Sequence, residues 1–313
     1  MTGAVDFDLP AYTVAGQTIN LVAGGIIAPS GVEWSWYSRS LQVTDTVYGP
    51  KLTVVIPDRI GEDTLMAYAR KTGYYTSSSV KYTEVIDPVI GGKSVEGILS
   101  GDYVYTDERD GSQYPVVKYG NLEWFTLNLH YAGEDGSLGT AYQHSDPVDG
   151  VFGRLYSWNE ATGGVKGSGL GGGPQGACPD GWSVPTEDDW TDFANAVRPA
   201  SVTEELKFDD RWNLLASDIS AEITINGKKM WEYSPDNVQT NLHRWNAIPA
   251  GKSANGHNTF GQMLSYGFWW VSDLTSDGEK AIFRYIYWDD AALPYSVADK
   301  DNVGFSVRCV KKL

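Results

Sequence analysis

Only two cysteines, Cys178 and Cys309, occur in 313 residues, and neither sits in a Cys-x-x-Cys or Cys/His zinc pattern. An even pair leaves two states open, one structural bridge in an oxidising compartment or two buried thiols. No apolar run approaches the ~18 residues that a membrane-spanning helix needs. The opening residues, Met1 to Asp6, carry neither a basic region nor an apolar stretch, so the sequence reads as cytosolic or as a processed form. Basic residues are also scarce, 24 Lys and Arg against 40 Asp and Glu, for a net charge of −16. That balance argues against nucleic acid or an anionic membrane surface as a partner held by bulk electrostatics. What is abundant is aromatic and turn-forming: 12 Trp, 19 Tyr and 9 Phe, with 35 Gly and 14 Pro. This mixture points to turn-rich β architecture and away from coiled coils and long helical bundles.

The first stretch alternates short strands with turns. Thr18 to Val22 follows a glycine, Glu33 to Trp36 alternates polar and aromatic, and Leu52, Val54 and Ile56 recur at period 2 before Pro57. Strands are also expected over residues 64–70 and 80–86, the latter with Val80, Tyr82 and Ile86 on one parity. Strands at this spacing with no helical period predict a β-sandwich. The order of a Trp-bearing strand, a Tyr-bearing strand near Tyr68, a Gly73 turn and a last strand resembles bacterial immunoglobulin-like modules, without the cysteine pair of antibody domains. Asp87-Pro88, followed by Gly91 and Gly92, marks the expected boundary. Residues 1–87 carry 6 basic and 9 acidic side chains and the remainder 18 and 31, so the acidity lies mainly in the second part.

That second part holds one clear helix signal. Thr186 precedes Glu187, Asp188 and Asp189, which gives an N-cap with acids in the first turn. Trp190, Phe193, Ala194 and Val197 then fall on one helical face before Pro199. A second short helix is expected over residues 202–208. The glycine-heavy stretch over residues 163–176 is expected to be a mobile surface loop.

Six ordered blocks carry a resemblance. Thr106-Asp107-Glu108-Arg109-Asp110-Gly111 with Tyr114, Val117, Gly120, Trp124 and Asn128-Leu129 is the first. Gly153-Arg154-Leu155-Tyr156-Ser157-Trp158 and the run from Cys178 through Pro179-Asp180-Gly181-Trp182 to Thr186 follow. Ala247-Ile248-Pro249-Ala250-Gly251, Phe268-Trp269, and Gly304-Phe305-Ser306-Val307-Arg308-Cys309-Val310 complete the series. From about residue 100 onward the chain resembles the Fibrobacter succinogenes major paralogous domain family, found on surface and secreted proteins of Bacteroidetes and Fibrobacteres. The resemblance implies a variant of the C-type-lectin-like fold, which also underlies formylglycine-generating enzymes. It implies a Cys178–Cys309 bridge, because such folds commonly tie the first helix to the last strand. The expected fold class is therefore α+β: an immunoglobulin-like β-sandwich over residues 1–87, then a C-type-lectin-like domain over residues 88–313 with one or two helices and a twisted antiparallel sheet.

Chemical motifs are sparse. A formylglycine-type oxidase needs reactive thiols, and both cysteines occupy structural positions. Gly251-Lys252-Ser253 lacks the first glycine of a phosphate loop, and His130, His144, His243 and His257 are widely separated. No enzymatic activity is expected, and no cofactor unless calcium. The Glu-Pro-Asn and Trp-Asn-Asp signatures of calcium-dependent lectins are absent. Asp289, Asp290, Asp299 and Asp301 bracket an aromatic loop, and Asp107, Glu108 and Asp110 bracket Gly111. Each cluster reads as turn acids or as a hard-cation site for calcium. Trp269-Trp270 and Tyr285-Ile286-Tyr287-Trp288 place rings on opposite strand faces, which reads as a wholly aromatic core or as one ring for the core and one for contact. Trp270, Tyr287, Trp288, Asp289, Asp290 and Tyr295 are thus the candidate ligand contacts. The expected role is a non-catalytic adhesion or recognition protein on the outer cell surface, a lipoprotein after loss of a leader. Its partners would be a glycan or protein on another surface, and fimbrial subunits. A structural surface or pilus module without external ligand is one alternative, and an enzyme on a formylglycine-generating-enzyme-like scaffold is the other.

Overall fold

A computed structural model describes residues 2–27, 30–90, 93–94, 101–198, 210–231 and 238–313. The helix expected over residues 202–208, together with Gly91, Gly92 and Pro199, lies outside the described residues. The chain is mostly β with a few short helices, and it forms two compact units, Met1–Asp87 with His144–Val148, and Pro88–Gln143 with Asp149–Leu313. Among the described residues no helix is long and apolar enough to cross a membrane.

The first unit contains nine strands: β1 (Thr2–Asp6), β2 (Tyr12–Val14), β3 (Thr18–Val22), β4 (Gly24–Ile27), β5 (Glu33–Ser38), β6 (Val43–Tyr48), β7 (Lys51–Val55), β8 (Gly61–Arg70) and β9 (Ser77–Ile86). Five form a sheet in the order β2-β9-β8-β5-β6, and β3-β7 and β1-β4 form two-stranded pairs. Period-2 alternation does what the sequence requires in β3 and β7, where Ile19 and Leu21 stand opposite Val54 and Leu52 and all four are buried. Trp36 anchors this core, with its ring edge-on to Phe7 at 5.0 Å and its indole N–H donated to the Gly49 carbonyl. In β9 the three residues of one parity do not share one environment, and only Ile86 of them is buried. Val80 and Tyr82 are exposed, while Thr83 and Val85 are buried. The register sets Val80 opposite Met66 and Tyr82 opposite Thr64 on the outer face, and the core side is filled from β8 by Leu65, Ala67 and Ala69.

The second unit begins with β10 (Pro88–Ile90), β11 (Lys93–Ser94), β12 (Tyr103–Thr106), β13 (Gln113–Tyr119) and β14 (Leu122–Phe125). Helices α1 (Asp149–Phe152), α2 (Trp158–Thr162), α3 (Glu187–Val197) and α4 (Leu215–Ile219) follow, then β15 (Ile223–Ile225) and β16 (Lys228–Lys229). The closing strands are β17 (Lys252–Ala254), β18 (Thr259–Gly261), β19 (Tyr266–Leu274), β20 (Ala281–Tyr287), β21 (Tyr295–Ala298), β22 (Val303–Gly304) and β23 (Val310–Lys312). They form antiparallel sheets ordered β12-β13-β14-β23, β19-β20-β21, β18-β17-β22 and β11-β10-β15-β16.

Helix α3 starts where its cap predicts. The Thr186 hydroxyl accepts the Asp189 N–H and the Asp189 carboxylate accepts the Thr186 N–H, closing a capping box. Asp189 is not a solvated dipole residue, since it is fully buried and takes a further N–H from Gly171 at 2.6 Å. Burial pushes its carboxyl up, against the pull of the two backbone N–H donors. The same contact ties the expected glycine-rich surface loop to α3. The loop is packed, and Gly173 and Gly176 lie so close to the Val184 and Ala161 carbonyls that a Cβ has no room.

Trp124, Trp190, Phe193, Trp245 and Trp269 form one aromatic core, with centroids 5.0 to 6.3 Å apart along its contacts. Beside it Cys178 and Cys309 are joined, with their Cα atoms 5.8 Å apart and 131 positions of chain between them. The bridge fits a protein of an oxidising compartment. The Asp107 cluster serves this same region. Buried Asp107 pairs with Arg109 at 2.8 Å, and Arg109 donates to the Ala177 and Cys178 carbonyls and lies 3.7 Å from the Tyr131 ring centroid. The Asp110 carboxylate accepts the Ser112 N–H, so two of the three acids bracketing Gly111 are turn acids.

Candidate functional site: an aromatic groove

Strands β19 and β20 each place three rings on the same face. Their antiparallel register pairs Tyr266 with Tyr287, Phe268 with Tyr285 and Trp270 with Phe283, so six rings cover one side of the sheet. Phe305 covers only the inner half. It lies 4.8 Å from Phe268, 4.5 Å from Trp270 and 4.6 Å from Phe283, and all four rings are buried. The outer half remains half-buried, with Tyr287 and Tyr266 continuing the row of stacked rings outward from buried Phe268, at 4.7 and 5.1 Å. Tyr285 stands beside the row, tilted about 40° against Tyr266, Phe268 and Phe283 and stacked on none of them.

Above these rings lies a groove open to solvent, with a volume of about 320 Å³. This is within the range of small-molecule sites, about 300–1,000 Å³. Lys252 from β17, Gln262 after β18, Val303 from β22 and Ser296 from β21 form its walls. Among the described residues, the Lys252 ammonium, the Gln262 amide and the hydroxyls of Tyr266, Tyr285 and Ser296 have no hydrogen-bond or ion-pair partner within the protein. The Lys252 ammonium lies over the Phe268 ring, 5.9 Å from its centroid. Burial, then neighbouring Tyr287 and Tyr285, push the Tyr266 phenol up, so it remains a protonated donor. The surface thus joins apolar rings to polar groups that point at no internal partner.

The sequence-predicted contacts do not come together. Trp270 is fully buried, its indole N–H donated to the Tyr156 carbonyl at 2.6 Å. Of the two readings of Trp269-Trp270, the aromatic core holds and the exposed ring does not, because both faces of β19 are covered at these two positions. Trp269 packs on Trp245 and donates to Asn128, while Trp270 packs under Phe305. Tyr287 borders the groove face, and Trp288 packs edge-on against it at 5.4 Å. Tyr295 pairs in register with Arg284 and so lies on the other side of the sheet. There Arg284 stacks on Trp212 at 3.7 Å and pairs with Glu187 at 2.5 Å.

The four aspartates are not gathered into a cation set, and among the described residues no group of three or more His, Cys, Asp or Glu side chains could hold a metal ion. Asp290 accepts the Ala292 N–H, Asp299 accepts those of Asp301 and Asn302, and Asp301 accepts the Asn159 amide. Asp289 is exposed at the hairpin end. The N–H of Asp301, then that of Asn302, hold the Asp299 carboxyl below its ordinary value, as in a solvated turn.

One constellation has no signal in the sequence because its members are 97 positions apart. Ser253 Oγ and His257 Nδ1 are 2.7 Å apart, and His257 Nε2 lies 2.9 Å from Glu160 Oε2. The order is that of nucleophile, base and acid, but Ser253 is fully buried, and Gly304 lies so close to its hydroxyl and the His257 ring that a Cβ would overlap both. Glu160 also closes the α2 capping box by accepting the Ser157 N–H at 2.6 Å. The chain of contacts is a tie between β17, its following turn and α2. Burial pushes the Glu160 carboxyl up, but the His257 hydrogen bond and the Ser157 N–H outweigh it and bring it down to about 2. A carboxyl held below its ordinary value stabilises fully above pH 4.5, and that contribution is lost as pH falls toward about 2. Glu160→Gln is therefore expected to cost about 1–2 kcal/mol at neutral pH and to flatten the acid limb of stability. Urea unfolding at neutral pH and at about pH 3 checks this, and an unchanged acid limb in the variant contradicts it.

No curated protein matches this chain. Residues 117–311 match the Fibrobacter succinogenes major domain, and they hold the buried arginine, the bridge, the aromatic core and every residue of the groove. With that match extending over more than half of its length, the chain belongs to the Fibrobacter succinogenes major domain family.

Proposed function

We propose that this is a non-catalytic recognition protein of the bacterial cell surface, whose C-terminal unit takes a saccharide into the aromatic groove. The observation that carries this reading is the uncovered outer half of the six-ring face, edged by amide, hydroxyl and ammonium groups with no internal partners among the described residues. A pyranose presents C–H groups on its faces and hydroxyls around its rim, which suits a tilted tyrosine ring flanked by hydrogen-bonding side chains. The family is typical of bacterial surface proteins, and the disulfide suits an oxidising compartment. The C-terminal unit is read as C-type-lectin-like, and residues 1–87 as an immunoglobulin-like sandwich acting as its spacer. Adhesion to a glycan on another surface is the corresponding role.

Calcium has no part in this reading, because the groove lining includes no carboxylate. A glycan array on the intact chain, run with calcium and with chelator, is expected to give the same bound glycans in both. Binding that chelator abolishes, or no glycan bound in either condition, contradicts the reading.

A further inference from the structure

Charge is distributed unevenly about the groove. The chain carries 40 acidic and 24 basic residues, and the second unit holds most of the excess. Yet the groove is lined by one charged side chain, and it is a cation, Lys252. Among the described residues no carboxylate pairs with it. Its neighbour Ser253 turns to the other side of β17, as strand alternation requires, and there meets His257 and Glu160. An unpaired ammonium held at the rim of an aromatic surface, in a protein that otherwise repels anions, creates a local preference for negative charge. The remaining polar groups reinforce it: Tyr266, Tyr285 and Ser296 hydroxyls and the Gln262 amide all have a proton to donate.

Resting on the saccharide reading above, we infer that the groove selects an acidic saccharide, whose carboxylate or sulfate is held by Lys252 while a sugar ring lies against Tyr285. The site is floored by the rings of β19 and β20 and takes in Ser296, Val297 and Ala298 of β21, so most of what it offers is rings and side-chain donors. That favours a sugar over an acidic peptide, which is bound in extended form chiefly through backbone hydrogen bonds. Uronates and sulfated sugars share the anionic group, and Lys252, as a point charge, does not itself separate them.

Calorimetric titration of the intact protein tests this with four probes: an oligogalacturonate, its methyl ester, a neutral galactose oligomer of equal length, and a sulfated galactose oligomer. The acidic probes are expected to bind about tenfold more tightly than the neutral ones, the usual scale for one favourable charge pair at a partly solvated site. The better of the two acidic probes identifies the source of the charge. Lys252→Gln is expected to remove the preference for the acidic probes, Lys252→Arg to retain it, and Tyr285→Ala to weaken every probe. Thermal melts of each variant establish that it folds. Equal binding of acidic and neutral probes, or a preference that survives Lys252→Gln, overturns the inference and leaves the saccharide groove standing. Binding of every probe unaffected by Tyr285→Ala, or no binding of any probe by the wild-type protein, overturns the groove itself.

Discussion

Replacing Arg308 is expected to destabilise the second unit by about 4 kcal/mol or more, the scale of losing a buried polar network. Arg308 is fully buried, and among the described residues no carboxylate accompanies it. Its Nε donates to Asn128 Oδ1 at 2.7 Å, one terminal nitrogen to the Trp245 carbonyl at 2.7 Å and to that of Phe125 at 3.4 Å, and the other to the Asn246 carbonyl at 2.9 Å. The guanidinium plane also stacks on Trp245, 4.2 Å from its centroid. Burial pulls the guanidinium down to about 9, which still leaves it charged at neutral pH. Two terms oppose each other when it is removed. Arg308→Met recovers the cost of burying a charge, but it strands the carbonyls of Phe125, Trp245 and Asn246, from two segments, at about 1–3 kcal/mol each. With several acceptors served by one side chain, the second term wins. Arg308→Lys is expected to fare no better, because an ammonium cannot span a planar set of acceptors. Denaturant unfolding of the intact protein measures both variants, and a loss under about 1 kcal/mol for either contradicts this account.

Removal of the Cys178–Cys309 bridge is the second large effect. Closing a loop of 131 positions is worth about 5 kcal/mol in the chain-entropy model, while native bridges typically contribute 2–5 kcal/mol. The Cys178→Ala, Cys309→Ala protein is therefore expected to lose about 3–5 kcal/mol, with the loss confined to the second unit. Both sulfurs are fully buried in the native state, so the intact protein is expected to resist thiol reagents until it unfolds. Unfolding followed separately by the two units, through proteolysis or hydrogen exchange, distinguishes this from a general weakening. Equal destabilisation of residues 1–87 would contradict the assignment of the bridge to one unit.

The framework was legible wherever a local rule acts alone. Helix α3 could be placed from Thr186, Asp189 and the spacing of Trp190, Phe193 and Val197, because a cap and a hydrophobic stripe need no distant partner. Strands β3, β5, β7 and β8 were visible from alternation and turns for the same reason. In β9 alternation was visible but its sense was not, since which face is buried depends on the register with β8. The motif from Gly304 to Cys309 marked the family, while its physical content needed three dimensions. Gly304 makes room for Ser253 and His257, Phe305 covers half of the aromatic face, Arg308 collects carbonyls and Cys309 closes the bridge.

The groove was only partly legible. Equal parity of Tyr266, Phe268 and Trp270, and of Phe283, Tyr285 and Tyr287, on two strands joined by a turn, was the available signal, and it marks six rings on one face. Which half is covered depends on Phe305, and which cation borders it depends on β17, and both are remote in the chain. Adjacent rings such as Trp269 and Trp270 drew attention because of their size. They proved to be core because this sheet is covered on both sides at their positions, so alternation alone does not separate inside from outside.

Two tyrosines on opposite faces of the same sheet allow the central claim to be tested most directly. Tyr285 lies in the groove, whereas Tyr295 pairs with Arg284 on the reverse side and is 62% exposed. Wild-type, Tyr285→Ala and Tyr295→Ala proteins would be compared in parallel on one glycan array. Loss of the bound glycans with Tyr285→Ala and their retention with Tyr295→Ala is the predicted result. Retention with Tyr285→Ala, or loss with Tyr295→Ala alone, would place the binding surface elsewhere and contradict the account.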